Sequence, residues 1–183
     1  MENETLYLVR VAKLHTLTKP DKQTAARITC SMVEQQLSAD QLKKALLNGY
    51  CIGPAIFDET DDRFVEQQLF FIDVDSGRSV KANIQLCEQL QLPPLLVYAT
   101  MSFTSENQKH RLVFAMKDAI TELNERNEIL SGLVTLFGGD HSTENVKRIF
   151  YPGIVSFFYN PYDTIEVGHL KEVLSHEINL YHD

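Results

Sequence analysis

The chain has 183 residues, 44% hydrophobic and 23% charged, with a formal net charge of −8; that length suits one domain with a real core. The negative balance argues against broad electrostatic binding of nucleic acid, so phosphate handling would have to rest on particular residues. No apolar run approaches the roughly 20 residues of a membrane span, and the start lacks a secretory signal. Cys30, Cys51 and Cys87 form no CxxC or Cys/His cluster, so neither a disulfide framework nor zinc is indicated and a cytoplasmic protein without a membrane partner is expected.

Residues 5–14 alternate partly and predict an opening strand. Lys19-Pro20-Asp21 signals a turn, and the apolar spacing over 24–37 predicts a helix. Ser38-Ala39-Asp40-Gln41 has the form of a capping box, opening a second helix that stops at Gly49. Residues 51–57 are apolar with Gly53-Pro54 inside, which predicts an irregular or edge segment, and 58–63 read as an acidic, solvated loop.

From Leu69 the pattern becomes regular. Residues 69–75 predict a buried strand ending in Asp73-Val74-Asp75. Helical spacing runs from Val80 to Pro93-Pro94, followed by a strand over 95–101 and a polar turn over 102–109. A third strand is expected over 110–116, a helix over 120–137 closed by Gly138-Gly139, and a fourth strand from 148–151 continuing to 159. An amphipathic helix over 166–179 ends the series. Strand, helix, strand, strand, helix, strand is the order of a ferredoxin-like or RRM-like split unit, an antiparallel sheet with two helices on one face. The fold class is therefore α+β, with an amino-terminal αβ module over 1–65, an RRM-like βαββαβ module over 66–160 and a closing helix over 161–183, all in one domain. The first and third strands of such a unit lie side by side, which brings Asp73 and Asp75 close to His110.

Side chains alternate along a strand, so Asp73 and Asp75 share a face with Cα atoms roughly 6.5–7 Å apart. Two carboxylates at that spacing repel unless a cation lies between them, and Mg²⁺ or Mn²⁺ prefers oxygen ligands. The alternative is a strand running out into a polar turn. His110 opens the third strand between Lys109 and Arg111, where an imidazole or ammonium could donate to phosphate oxygens. Asp140 follows Gly138-Gly139, and of Lys147 and Arg148 the arginine is the better phosphate clamp. Each of these, taken alone, also reads as an ordinary turn or strand-end residue.

FFIDVD (70–75), QKHRLVF (108–114) and GGDHSTENVKRIFYPG (138–153) together resemble, in order and spacing, the three motifs of the archaeo-eukaryotic primase (AEP) superfamily. The resemblance is greatest to the primase-polymerase domains of phages, plasmids and integrative elements, and it covers roughly residues 45–160. Gln108 and Gly139 depart from the small and apolar residues usual at those places. The resemblance implies template-dependent nucleotidyl transfer, as DNA primase or polymerase, in the replication of a mobile element or phage. It implies that Asp73, Asp75 and Asp140 hold two Mg²⁺ or Mn²⁺ ions. His110 and Arg148, with Lys109 or Lys147 and Ser105, would bind the nucleotide. Partners would be single-stranded or primed DNA template, NTP or dNTP, and a replicative helicase in cis or trans, with the template lying across an exposed sheet. The alternatives are a non-catalytic RRM-like module binding single-stranded nucleic acid and a structural subunit of a replication complex. A rolling-circle initiator is disfavoured, since the sequence has no His-hydrophobic-His pair.

Overall fold

The computed structural model describes residues 5–75 and 77–180. Ser76, within the expected polar turn, lies outside them. Strand β1 (Leu6–His15) buries Tyr7, Val9 and Val11 at the two-residue period. Helix α1 (Lys22–Cys30) starts at Asp21, whose carboxylate accepts from the Thr24 N–H at 2.7 Å.

The helix expected over 24–37 stops at Cys30. Ser31 turns its amide and hydroxyl back onto the Ile28 carbonyl, and Met32–Ser38 forms strand β2, antiparallel to β1. β2 is an edge strand whose Glu34, Gln35 and Gln36 are all exposed, so no alternation marks it. The Ser38/Gln41 capping box opens α2 (Ala39–Leu47) as expected. The 51–57 segment forms two short edge strands, as its edge reading expects. Strand β3 (Tyr50–Gly53) completes a three-stranded sheet, β2-β1-β3, and after Pro54 strand β4 (Ala55–Phe57) enters a second sheet.

That second sheet is antiparallel and holds the site. Its strands are β5 (Phe64–Val74), β6 (Leu96–Thr100), β7 (His110–Ile120) and β8 (Gly153–Tyr159), in the order β4-β5-β7-β6-β8. β5 and β7 are central neighbours, as the split unit requires. β8 joins the β6 edge, and the place beside β5 is taken by β4. Residues 148–152 lie outside the fourth strand, with Phe150 exchanging two backbone bonds with Ile52 of β3.

Helices α3 (Val80–Gln89), α4 (Leu123–Phe137) and α5 (Val167–Leu180) cover one face of this sheet, packing on Phe70, Ile72, Val74, Leu112, Phe114 and Met116. Leu69, Phe71, Tyr98 and Val113 on the other face pack against β1 and α2. The central strands are therefore covered on both faces, and among the described residues the sheet leaves large apolar side chains exposed at its β8 edge, at Ile154, Val155 and Phe157. What remains open is the end of the strands. No helix of the described residues is long and apolar enough to cross a membrane.

Candidate active site

The site forms where β5 runs out. Phe71 and Asp73 point toward the amino-terminal module, and Val74 points toward the helices. On β7, Arg111 is the register partner of Asp73, and His110 is the partner of Val74. Register partners share a face. Arg111 therefore meets the acid, and His110 lies on the opposite side of the sheet.

Arg111 is held on three sides. Its Nε donates to Asp73 Oδ1, and its Nη1 donates to the Tyr98 hydroxyl and the Tyr151 carbonyl, each at 2.6 Å. The guanidinium also stacks near the Tyr98 and Phe150 rings, 5.3 and 5.0 Å from their centroids. Burial opposes its charge, but Asp73 and Tyr98 outweigh that and raise its pKa. Burial likewise pushes the Tyr98 phenol up to about 12, against the pull of Arg111, so it stays protonated. Removing one member of such a pair leaves the other charge buried and uncompensated, at a typical cost of about 3–5 kcal/mol.

Around this fixed pair lies a cleft of about 150 Å³, lined by Asp73, Asp75, Lys109, Arg111, Arg148 and Tyr151, with Lys19 at its rim. Arg148 Nη2 lies 3.5 Å from Asp73 Oδ2, and Lys109 Nζ lies 3.5 Å from Asp75 Oδ2. Asp75 stands half-exposed at the mouth and also lines a neighbouring polar depression of about 190 Å³ with Ser105, Arg78 and Gln108. The cleft can hold an anion. Its cations are preorganised by acids, and Arg148 and Lys109 keep solvent access.

The sequence-predicted residues divide accordingly. Asp73, Asp75, Lys109 and Arg148 come together, and Ser105 lies in the adjoining depression with its hydroxyl on Glu106 at 2.7 Å. Lys147 turns away to Asp62 and the Phe57 ring. His110 is fully buried among the helices, its Nδ1 2.6 Å from the Gln108 carbonyl and its Nε2 3.0 Å from the Asn83 amide nitrogen, across the sheet from the cleft. Asp140 is hydrogen-bonded to the centre through its backbone, its N–H donating to the Asp73 carbonyl at 2.8 Å. Its carboxylate caps the following turn, accepting from the Ser142 amide and hydroxyl at 2.8 and 2.6 Å. Those bonds, with Arg148 and His141 adding less, hold its carboxyl below the usual range. Gly139 permits this approach, since a Cβ there would lie 2.6 Å from Ile72 Cγ2.

The donor set does not fit the expected centre of three acids and two Mg²⁺ or Mn²⁺ ions. Asp73 faces two guanidiniums, Asp75 faces an ammonium, and Asp140 is engaged in its own turn. Among the described residues no group of three or more His, Cys, Asp or Glu side chains is placed to hold a metal ion. Sequence reasoning missed Arg111, Tyr98 and Tyr151 as site residues. The only signal for Arg111 was its position two residues from Lys109, which puts both cations on one face of a strand.

The structure aligns with the AEP domain of the primase-polymerase of cyanophage S-2L with a TM-score of 0.56 and 16% sequence identity, over 92% of this chain and 89% of that one. The fold is AEP-like. No family model matches the chain, and no curated protein matches it. In this AEP-like frame acids and several cations converge on a cleft at the Asp73/Asp75 strand end.

Proposed function

We propose that the chain is a nucleotidyltransferase, a DNA primase or polymerase acting in replication. Its cleft at Asp73, Asp75, Lys109, Arg111 and Arg148 would take the triphosphate of the incoming NTP or dNTP beside a single-stranded or primed DNA template. The observation that carries this reading is the pairing of two carboxylates with three cations at the end of the central strands of an AEP-like fold. A chain-end hydroxyl would attack the α-phosphorus and give up its proton to solvent, and the bond to the leaving pyrophosphate would break. Negative charge spreads over the phosphoryl oxygens as that happens. Lys109 and Arg148 are close enough to the cleft to oppose it, and Arg111, locked by Asp73 and Tyr98, supplies fixed positive charge that needs no reorganisation.

A second reading has its own observation. The acids are already charge-compensated and a third donor is missing, which suits a module that binds single-stranded nucleic acid without catalysis.

Template-directed incorporation of labelled nucleotides, with Mg²⁺ or Mn²⁺ and with or without a primer, separates the two. Asp75 is the acid to replace, because it is half-exposed and its loss leaves the core intact, whereas Asp73 is part of a buried ion pair. The wild-type protein is expected to extend a template, Arg148→Ala is expected to lose about a hundredfold in rate, and Asp75→Ala, which frees Lys109 for phosphate, is expected to extend at no less than the wild-type rate at limiting nucleotide, both with unchanged melting temperature. A wild-type protein that binds single-stranded DNA yet incorporates nothing under any of these conditions would establish the second reading.

A further inference from the structure

The ion pairs of the cleft differ in how firmly they are held. Arg111 is 6% exposed and bonded to Asp73, Tyr98 and the Tyr151 carbonyl. Arg148 and Lys109 are 37% and 28% exposed, and each rests on its carboxylate across 3.5 Å. Lys19 adds a fourth cation, so four cations and two carboxylates line the cleft, with the Asp140 carboxylate near enough outside it to feel Arg148. A site whose acids serve to collect divalent ions needs the opposite balance, an excess of oxygen donors and negative charge.

We propose that the cleft captures the polyphosphate of a nucleotide directly, before and without a divalent ion. Lys109 and Arg148 exchange their loose carboxylate contacts for phosphate oxygens. In the empty cleft Asp75 is the counter-ion of Lys109, and Asp73 holds Arg111 in place while releasing Arg148. The exchange is downhill because a polyphosphate offers Arg148 a bidentate, more highly charged partner than one carboxylate oxygen at 3.5 Å. This inference rests on the reading of the cleft as the triphosphate site, and it assigns Asp75 a part opposite to that of a metal ligand. A ligand's removal weakens nucleotide binding; a competitor's removal strengthens it.

The test is the binding of a nucleoside triphosphate labelled on its base, followed by fluorescence anisotropy in EDTA and again in Mg²⁺. The dissociation constant in EDTA is expected to lie within about threefold of that in Mg²⁺, and inorganic tripolyphosphate is expected to compete in EDTA. Asp75→Asn is expected to tighten binding in EDTA by about two- to fivefold, the range of an exposed ion pair. The double variant Lys109→Ala, Arg148→Ala is expected to weaken it at least about tenfold. Binding lost in EDTA and restored by Mg²⁺, or weakened in both buffers by Asp75→Asn, overturns the proposal and leaves nucleotidyl transfer standing. Absence of binding in both buffers overturns the two together.

Discussion

Both ring nitrogens of His110 are committed inside the fold. The short contact of Nδ1 to the Gln108 carbonyl makes that nitrogen the donor, and Nε2 then accepts from the Asn83 amide. A second proton on Nε2 would set donor against donor. Burial accordingly lowers the imidazole pKa from its ordinary 6.5, with the Gln108 carbonyl pulling weakly the other way. In the window below 6.5 the unfolded chain binds the proton that the folded chain refuses. The stability tied to the neutral ring is therefore complete above 6.5 and is lost as pH falls below it. Urea midpoints at pH 7.5 and 5.5 should fall more for the wild-type protein than for His110→Gln, which cannot titrate. Equal falls would mean that the imidazole is not buried in its neutral form. On the proposed function His110 lies across the sheet from the cleft, so substitutions there should change stability and not phosphate affinity.

β6, β7 and the turn before β8 act together to aim Arg111. A Cβ on Gly153 would lie 2.2 Å from Tyr98 Cδ2 and 2.7 Å from the Ala99 carbonyl. Neither can yield, since Tyr98 is fully buried and Ala99 pairs across the sheet with His110. Gly153→Ala should thus push the Tyr98 hydroxyl off Arg111 and cost about 1–3 kcal/mol in stability by overpacking. Its nucleotide affinity should fall with it, as denaturant unfolding and anisotropy titration would show. An alanine variant with wild-type stability would mean that the start of β8 is looser than this packing. Elements with local signals were legible in the sequence: the Ser38/Gln41 capping box, and the stop of α4 at Gly138, whose φ of +67° is left-handed. The parity of β7 was not. Leu112, Phe114 and Met116 line one core and Val113 and Ala115 the other, so both faces are apolar and nothing in the pattern says whether His110 or Arg111 meets Asp73. β2 failed for the opposite reason, because its exposed middle carries no apolar period at all.

For the molecule as a whole, a net charge of −8 and central strands covered on both faces leave little of the sheet's middle on which a polyanion can rest. Each face of those strands is occupied for an ordinary reason, the burial of one of two apolar cores, and the cleft at the strand ends, where Asp75, Lys109 and Arg148 reach solvent, is what the two layers leave open. The acidic 58–63 loop takes up Lys147, next to Arg148 in sequence, through Asp62. Nucleic acid, on the proposed function, would then be held through the few phosphates that reach Lys19, Lys109, Arg111 and Arg148, and not through a wide basic face. Counter-ion release makes that count measurable, since the logarithm of affinity for single strands falls with the logarithm of salt at about 0.7 per neutralised phosphate. Three or four such contacts predict a slope of about −2 to −3 for a short single-stranded oligonucleotide, and Arg148→Ala should make it shallower by about 0.7. A slope steeper than about −5 would require cations that this cleft does not contain, and would place the nucleic acid on another part of the surface.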